Sequence, residues 1–108
     1  METKPATHDL DDILELIGKG KVIVTKLSDT GAKNLGYSGR RDAIRVVKRL
    51  RRKHFYKTME AESEFHSGEW QDVYKITDNE NRIYIKLQMR SDRGVVVQFK
   101  EDTSSYRE

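Results

Sequence analysis

The sequence predicts an α+β fold in which helices from the first half of the chain cover one face of an antiparallel sheet built by the second half. Three observations carry that reading. Residues 70–100 divide into three segments of alternating apolar and polar side chains joined by turns rich in Asp, Asn, Ser and Gly, as expected of a meander with one buried and one wet face. Apolar residues recur at helical spacing in two earlier stretches, 9–19 and 38–53. The chain has 108 residues, enough for one modest core and too few for two, so both halves belong to a single domain.

The sheet carries the clearest pattern. In 82–89, Ile83, Ile85, Leu87 and Met89 fall on one face, and Tyr84, Lys86, Gln88 and Arg90 on the other. The segment before it groups Trp70, Tyr74 and Ile76 against Gln71, Val73 and Lys75, with Asp72 as a misfit on the apolar set. Strict alternation in the last segment sets Val95, Val97 and Phe99 against Val96, Gln98 and Lys100. Residues 55–59 read as a further strand, with Phe55, Lys57 and Met59 opposite Tyr56 and Thr58.

Ahead of the sheet, residues 1–8 form a short arm, and 9–54 are mainly helical with one short strand. Asp9 caps a helix running to Lys19, with Leu10, Ile13, Leu14 and Ile17 as its docking stripe. Lys21–Lys26, with Val22, Ile23 and Val24, reads as the strand. A short helix opening at Ser28 or Asp29 closes at Gly36, weakened by Gly31. Ser38 to about Lys53 reads as a basic helix whose stripe of Ala43, Ile44, Val46, Val47 and Leu50 packs on the sheet. Residues 102–108 read as a flexible polar tail.

Composition narrows the classes of function. Charged residues make up 36% of the chain, yet the apolar ones fall in periodic groups, which argues for a folded protein with a highly charged surface. The absence of cysteine excludes disulfides and thiolate metal sites and suits a reducing cytoplasm. The longest apolar run is too short to span a membrane. A net charge of +3 conceals a dense basic run, Arg40, Arg41, Arg45, Lys48, Arg49, Arg51, Arg52 and Lys53, with Asp42 as its one acid. That run is either a solvated helix face or a surface for a polyanion, with Arg45, Lys48, Arg49 and Arg52 as the candidate RNA contacts.

If Lys57, Gln71, Tyr84, Lys86 and Lys100 all project from the same side of the sheet, they compose a cationic surface with a phenol and an amide in it. Cleavage of an RNA phosphodiester needs such groups: one to take the 2′-hydroxyl proton, positive charge where the phosphorane develops, and a proton for the leaving 5′-oxygen. The same lysines could equally be soluble surface. No metal or other cofactor is required. His66 with Glu62 and Glu64 forms at most a loose metal-ligand pattern, and Tyr56 and Tyr74 read as core or rim aromatics.

The stretches Phe55–Met59, Trp70–Tyr74, Tyr84–Lys86 and Val95–Glu101 resemble the MqsR family of bacterial toxins, the motility quorum-sensing regulators. Lys4-Pro5, His8, Leu10, Ile13, Leu16-Ile17, Gly20, Val22 and Leu35-Gly36 follow in the same order, so the resemblance covers almost the whole chain. It implies a RelE-like curved sheet and a ribosome-independent endoribonuclease acting on single-stranded mRNA at G-C steps, held inactive by a cognate antitoxin. It assigns the catalytic roles to Lys57, Gln71, Tyr84 and Lys100; Lys86, a candidate RNA contact from its place in the pattern, is either a site residue or a neighbour on the same face. The basic 38–53 segment, the longer loop before Trp70 and the extended tail depart from the family pattern. The competing expectation is a non-catalytic nucleic-acid-binding or regulatory module working through the basic segment.

Overall fold

The last strand of the sheet is where the two halves of the chain meet. The structure, a computed structural model, describes residues 4–62 and 67–104. Within them, α1 (Leu10–Gly18), β1 (Val22–Val24), α2 (Lys26–Asn34) and α3 (Arg40–Val47) precede a single 3₁₀ turn, Arg52–His54, and four long strands: β2 (Phe55–Glu60), β3 (Trp70–Asp78), β4 (Asn81–Arg90) and β5 (Arg93–Glu101). The sheet order is β1-β5-β4-β3-β2. The meander β2 to β5 is antiparallel as expected, whereas β1 lies parallel to β5, so the sheet is mixed. The fold class is α+β, with three helices packed on a five-stranded, largely antiparallel sheet.

Local chemistry explains the helix boundaries. Asp9 accepts from the Asp12 amide and starts α1, whose Leu10, Ile13 and Ile17 are buried. Helix α2 opens two residues earlier than the sequence suggests, because Thr25 is its cap, accepting from the Ser28 amide at 3.1 Å. Ser28 is itself buried and donates to the Val96 carbonyl at 2.9 Å. Gly31, expected to weaken this helix, is instead what lets it approach β5, because a Cβ there would overlap the Phe99 carbonyl oxygen.

The basic segment is not one helix. Helix α3 ends at Val47, and Arg49 and Leu50 close i→i+3 bonds onto Val46 and Val47. Arg51 then donates through its guanidinium to the carbonyls of Leu50 at 2.8 Å and Lys48 at 3.3 Å. Those bonds satisfy carbonyls that a continuing helix would have used, and they turn the chain toward β2. Leu50 still reaches the core, through a turn.

Two bulges correct the expected strand faces. In β5, Lys86 pairs with Gln98 but Leu87 pairs with Val96, so Val97 is the extra residue. Val96 and Phe99 therefore join the core with Ile83, Ile85 and Leu87, while Val95 lies beside Gln88 on the opposite face. In β2, Phe55 pairs with Tyr74 and Lys57 with Val73, which makes Tyr56 the extra residue. Phe55 thus packs edge-on against Tyr74 at 5.7 Å on the helical side, and Lys57 and Met59 face the other way.

Asp72 is the misfit of the apolar face, and the N-terminal arm accounts for it. Its fully buried carboxylate accepts from the backbone amides of Thr7 at 2.9 Å and His8 at 2.8 Å. The His8 ring bonds the Trp70 carbonyl at 2.8 Å, and the Lys4 ammonium lies 4.8 Å from the centre of the Trp70 ring. At the other end, Asp102 is not part of a loose tail. It is buried, its amide donates to the Arg82 carbonyl at 2.7 Å, and its carboxylate lies 3.5 Å from the Lys75 ammonium.

Candidate active site on the open face of the sheet

The helices cover one face of the sheet, and pairing register sorts the other face into three rows. Lys57, Val73, Lys86 and Gln98 lie side by side across β2, β3, β4 and β5. Next to them run Lys75, Tyr84 and Lys100. On the other flank, Met59 faces Gln71 and Gln88 faces Val95, with the two glutamine amides hydrogen-bonded at 3.1 Å. Lys57, Gln71, Tyr84, Lys86 and Lys100 thus share one surface, floored by the buried Val73.

Tyr84 is the centre of this surface. The Lys100 ammonium lies 5.0 Å and the Lys86 ammonium 6.0 Å from its ring centre. Burial, aided by the charge of Glu62, pushes the Tyr84 phenol above its ordinary pKa, so it stays protonated at neutral pH and can donate a hydrogen bond. Lys86 is largely buried and lies 3.6 Å from Glu62, whose carboxylate is open to solvent and screened. Among the described residues, Lys57 and Lys100 have no carboxylate partner.

Two residues of this face are missed by sequence reasoning. Tyr56, expected in the core or at the rim, is half exposed here, because the β2 bulge turns it out beside Lys57. The Lys75 ammonium sits 3.8 Å from the Tyr56 ring centre and donates to Ser104 Oγ at 3.0 Å. Lys75 was legible on the polar parity, but its approach to Tyr56 depends on the bulge, which alternation does not announce. Tyr74 is buried as expected, and burial pushes its phenol up to about 12. His66 and Glu64 of the loose metal pattern lie outside the described residues.

The candidate RNA contacts in the basic segment do not join this surface. Ala43, Val46 and Val47 hold α3 against the core side of the sheet. Arg45 and Arg49 both bond the carboxylate of Asp78, which is 3% exposed at the end of β3, and Tyr37 donates to the same group at 2.6 Å. Burial alone would raise the Asp78 pKa, but bonds from Arg45 and Tyr37 and the arginine charges hold it below the usual carboxylate value. Arg52 meets Asp11 at 3.0 Å in an exposed pair. Lys48 remains at the surface with Arg40 and Arg41 around Ile44.

Among the described residues, no helix is long and apolar enough to cross a membrane. A family model described as motility quorum-sensing regulator, toxin of MqsA, matches residues 5–101. No curated protein matches the chain.

Proposed function

The chain belongs to the motility quorum-sensing regulator family, the toxins of MqsA, and on that premise we propose that its open sheet face is the active site of an endoribonuclease that cuts single-stranded mRNA without a metal. The observation that carries the reading is the grouping of Lys86 and Lys100 about a partly buried, protonated Tyr84, with Lys57 beside Tyr56 in the next row of the same face, which no helix among the described residues covers. The phosphorane formed when a 2′-hydroxyl attacks its own phosphodiester gains negative charge, and Lys57 and Lys100 meet it without first breaking an ion pair to any described residue. Tyr84 donates its phenolic proton to a phosphoryl oxygen or the leaving 5′-oxygen, and one lysine of the face, in the fraction of molecules where it is a neutral amine, accepts the proton of the 2′-hydroxyl while the others stay cationic. Gln71 orients the nucleotide. Tyr56, exposed beside Lys57, offers a ring for a flanking base to stack on. In the cell this activity is held in check by the cognate antitoxin.

The test is cleavage of a defined single-stranded RNA by the purified, antitoxin-free protein in excess chelator. Cuts at a recurring short sequence, leaving 2′,3′-cyclic phosphate ends and lost in Lys57→Ala and Tyr84→Phe, are the expected result. RNA that is bound tightly yet left intact would sink the enzyme reading.

A further inference from the structure

The open face carries a hydrogen-bond chain that fixes which end of the Gln71 amide a substrate meets. Arg90 Nε donates to Glu69 Oε1 at 3.3 Å, Gln88 Nε2 donates to the same oxygen at 2.6 Å, and Gln71 Nε2 donates to Gln88 Oε1 at 3.1 Å. The polarity of this chain follows from its ends. A guanidinium can only donate and a carboxylate can only accept, so Gln88 must turn its NH₂ toward Glu69 and its carbonyl toward Gln71. Gln71 must then spend its own NH₂ on Gln88. Gln88 is 1% exposed, so solvent cannot relax the arrangement at little cost. The remaining Oε1 of Gln71 accepts from no described residue, and no fully buried side-chain oxygen or nitrogen among the described residues lacks a partner, so this oxygen is not sealed off although Gln71 as a whole is only 6% exposed.

We propose that Gln88 and Glu69 are positioning residues that lock the Gln71 amide so that it presents an acceptor to the RNA, selecting a nucleotide that offers a hydrogen-bond donor there. The proposal rests on the nuclease reading above and adds a direction to it. The donor is either a base N–H or the hydroxyl of a ribose flanking the cut. A nucleotide presenting only acceptors meets a carbonyl that cannot turn away, which is a stronger rejection than a freely rotating amide would give.

The experiment compares wild type, Gln71→Ala, Gln88→Met and Glu69→Gln for kcat and KM on one cleavable RNA and on two sets of analogues. One set removes the base amino donors in turn, with inosine for guanosine, purine riboside for adenosine and 2-pyrimidinone riboside for cytidine; the other replaces by fluorine each flanking 2′-hydroxyl except the one that attacks the phosphate. With wild type, one analogue is expected to lose about tenfold in kcat/KM, the worth of one hydrogen bond. That loss disappears in Gln71→Ala and Gln88→Met and shrinks in Glu69→Gln, while thermal unfolding shows all four folded. A merely structural Gln88 would lower activity on every RNA equally and keep the discrimination, which overturns the proposal. So does a wild type indifferent to both analogue sets. An inactive wild type would instead sink the nuclease reading itself.

Discussion

On the helical side of the sheet, Arg45 and Arg49 converge on one buried carboxylate and Arg52 meets Asp11, whereas on the open side Lys57 and Lys100 meet no carboxylate among the described residues. The two basic regions are similar in charge and opposite in use. Arginine forks bind Asp78 through several directed bonds and tie the end of β3 to α3, a structural task. Lysines beside a protonated phenol keep their charge available for a ligand. Density of positive charge along the chain therefore does not distinguish the two regions; what the charges already touch does.

The comparison breaks most visibly if the roles are tested by substitution. Lys57→Ala or Lys100→Ala is expected to lower RNA cleavage by roughly 10²- to 10³-fold, as removal of a group aimed at developing charge does, with the unfolding midpoint unchanged. A matching loss in Arg45→Ala, measured per folded molecule, would reverse the assignment of the two regions. Asp78→Ala is expected to cost about 2 kcal/mol in urea unfolding, through its lost charged hydrogen bonds, while folded protein cuts at the normal rate. Gly31→Ala should cost a similar amount, about 1–3 kcal/mol, as overpacking against β5 does, and it too should spare the chemistry.

A pH series sharpens the contrast further. Because the folded pKa of Asp78 lies below its unfolded value of about 3.9, its stabilisation is complete above that value and is lost as pH falls through the folded pKa. The difference in stability between wild type and Asp78→Asn should therefore be flat near neutrality and shrink in acid. The smallest effect is expected from Lys48→Ala on the outer surface of the helical side, where neither cleavage nor unfolding should change measurably. A clear drop in RNA affinity there would give the basic segment a share of the substrate.

How much of this was legible depends on whether a property is local. Strand β4 has no extra residue, so alternation alone sorts Ile83, Ile85 and Leu87 from Tyr84, Lys86 and Gln88, and that strand holds the centre of the candidate site. The bulges at Tyr56 and Val97 are relations between strands, with no compositional mark, and each flips the parity of what flanks it. Asp72 looks like an error on the apolar face until the amides of Thr7 and His8 that satisfy it are known, and Asp78 looks like an ordinary turn residue until the guanidinium groups of Arg45 and Arg49 are seen to converge on it. Gly31 likewise reads as a weak helix former in isolation and as a clearance for β5 in the fold. Parity puts Tyr84 and Lys100 on the polar sets of their strands, but Lys57 shares a parity with Phe55 until the bulge separates them, and the polarity of the Gln71 amide depends on Glu69 and Arg90, which no motif singles out.

The placement of β5 also sets a timetable. A ribosome releases α1, β1 and α2 first, yet all three rest on a strand that is made last, between β1 and β4. Until residues 93–101 emerge, the early helices have no seat, Tyr84 has no Lys100 beside it, and the unfinished chain holds neither a closed core nor a complete set of charges. A protein built in this order completes neither its core nor its open face until translation of the sheet is finished, so an interrupted message yields fragments that lack both.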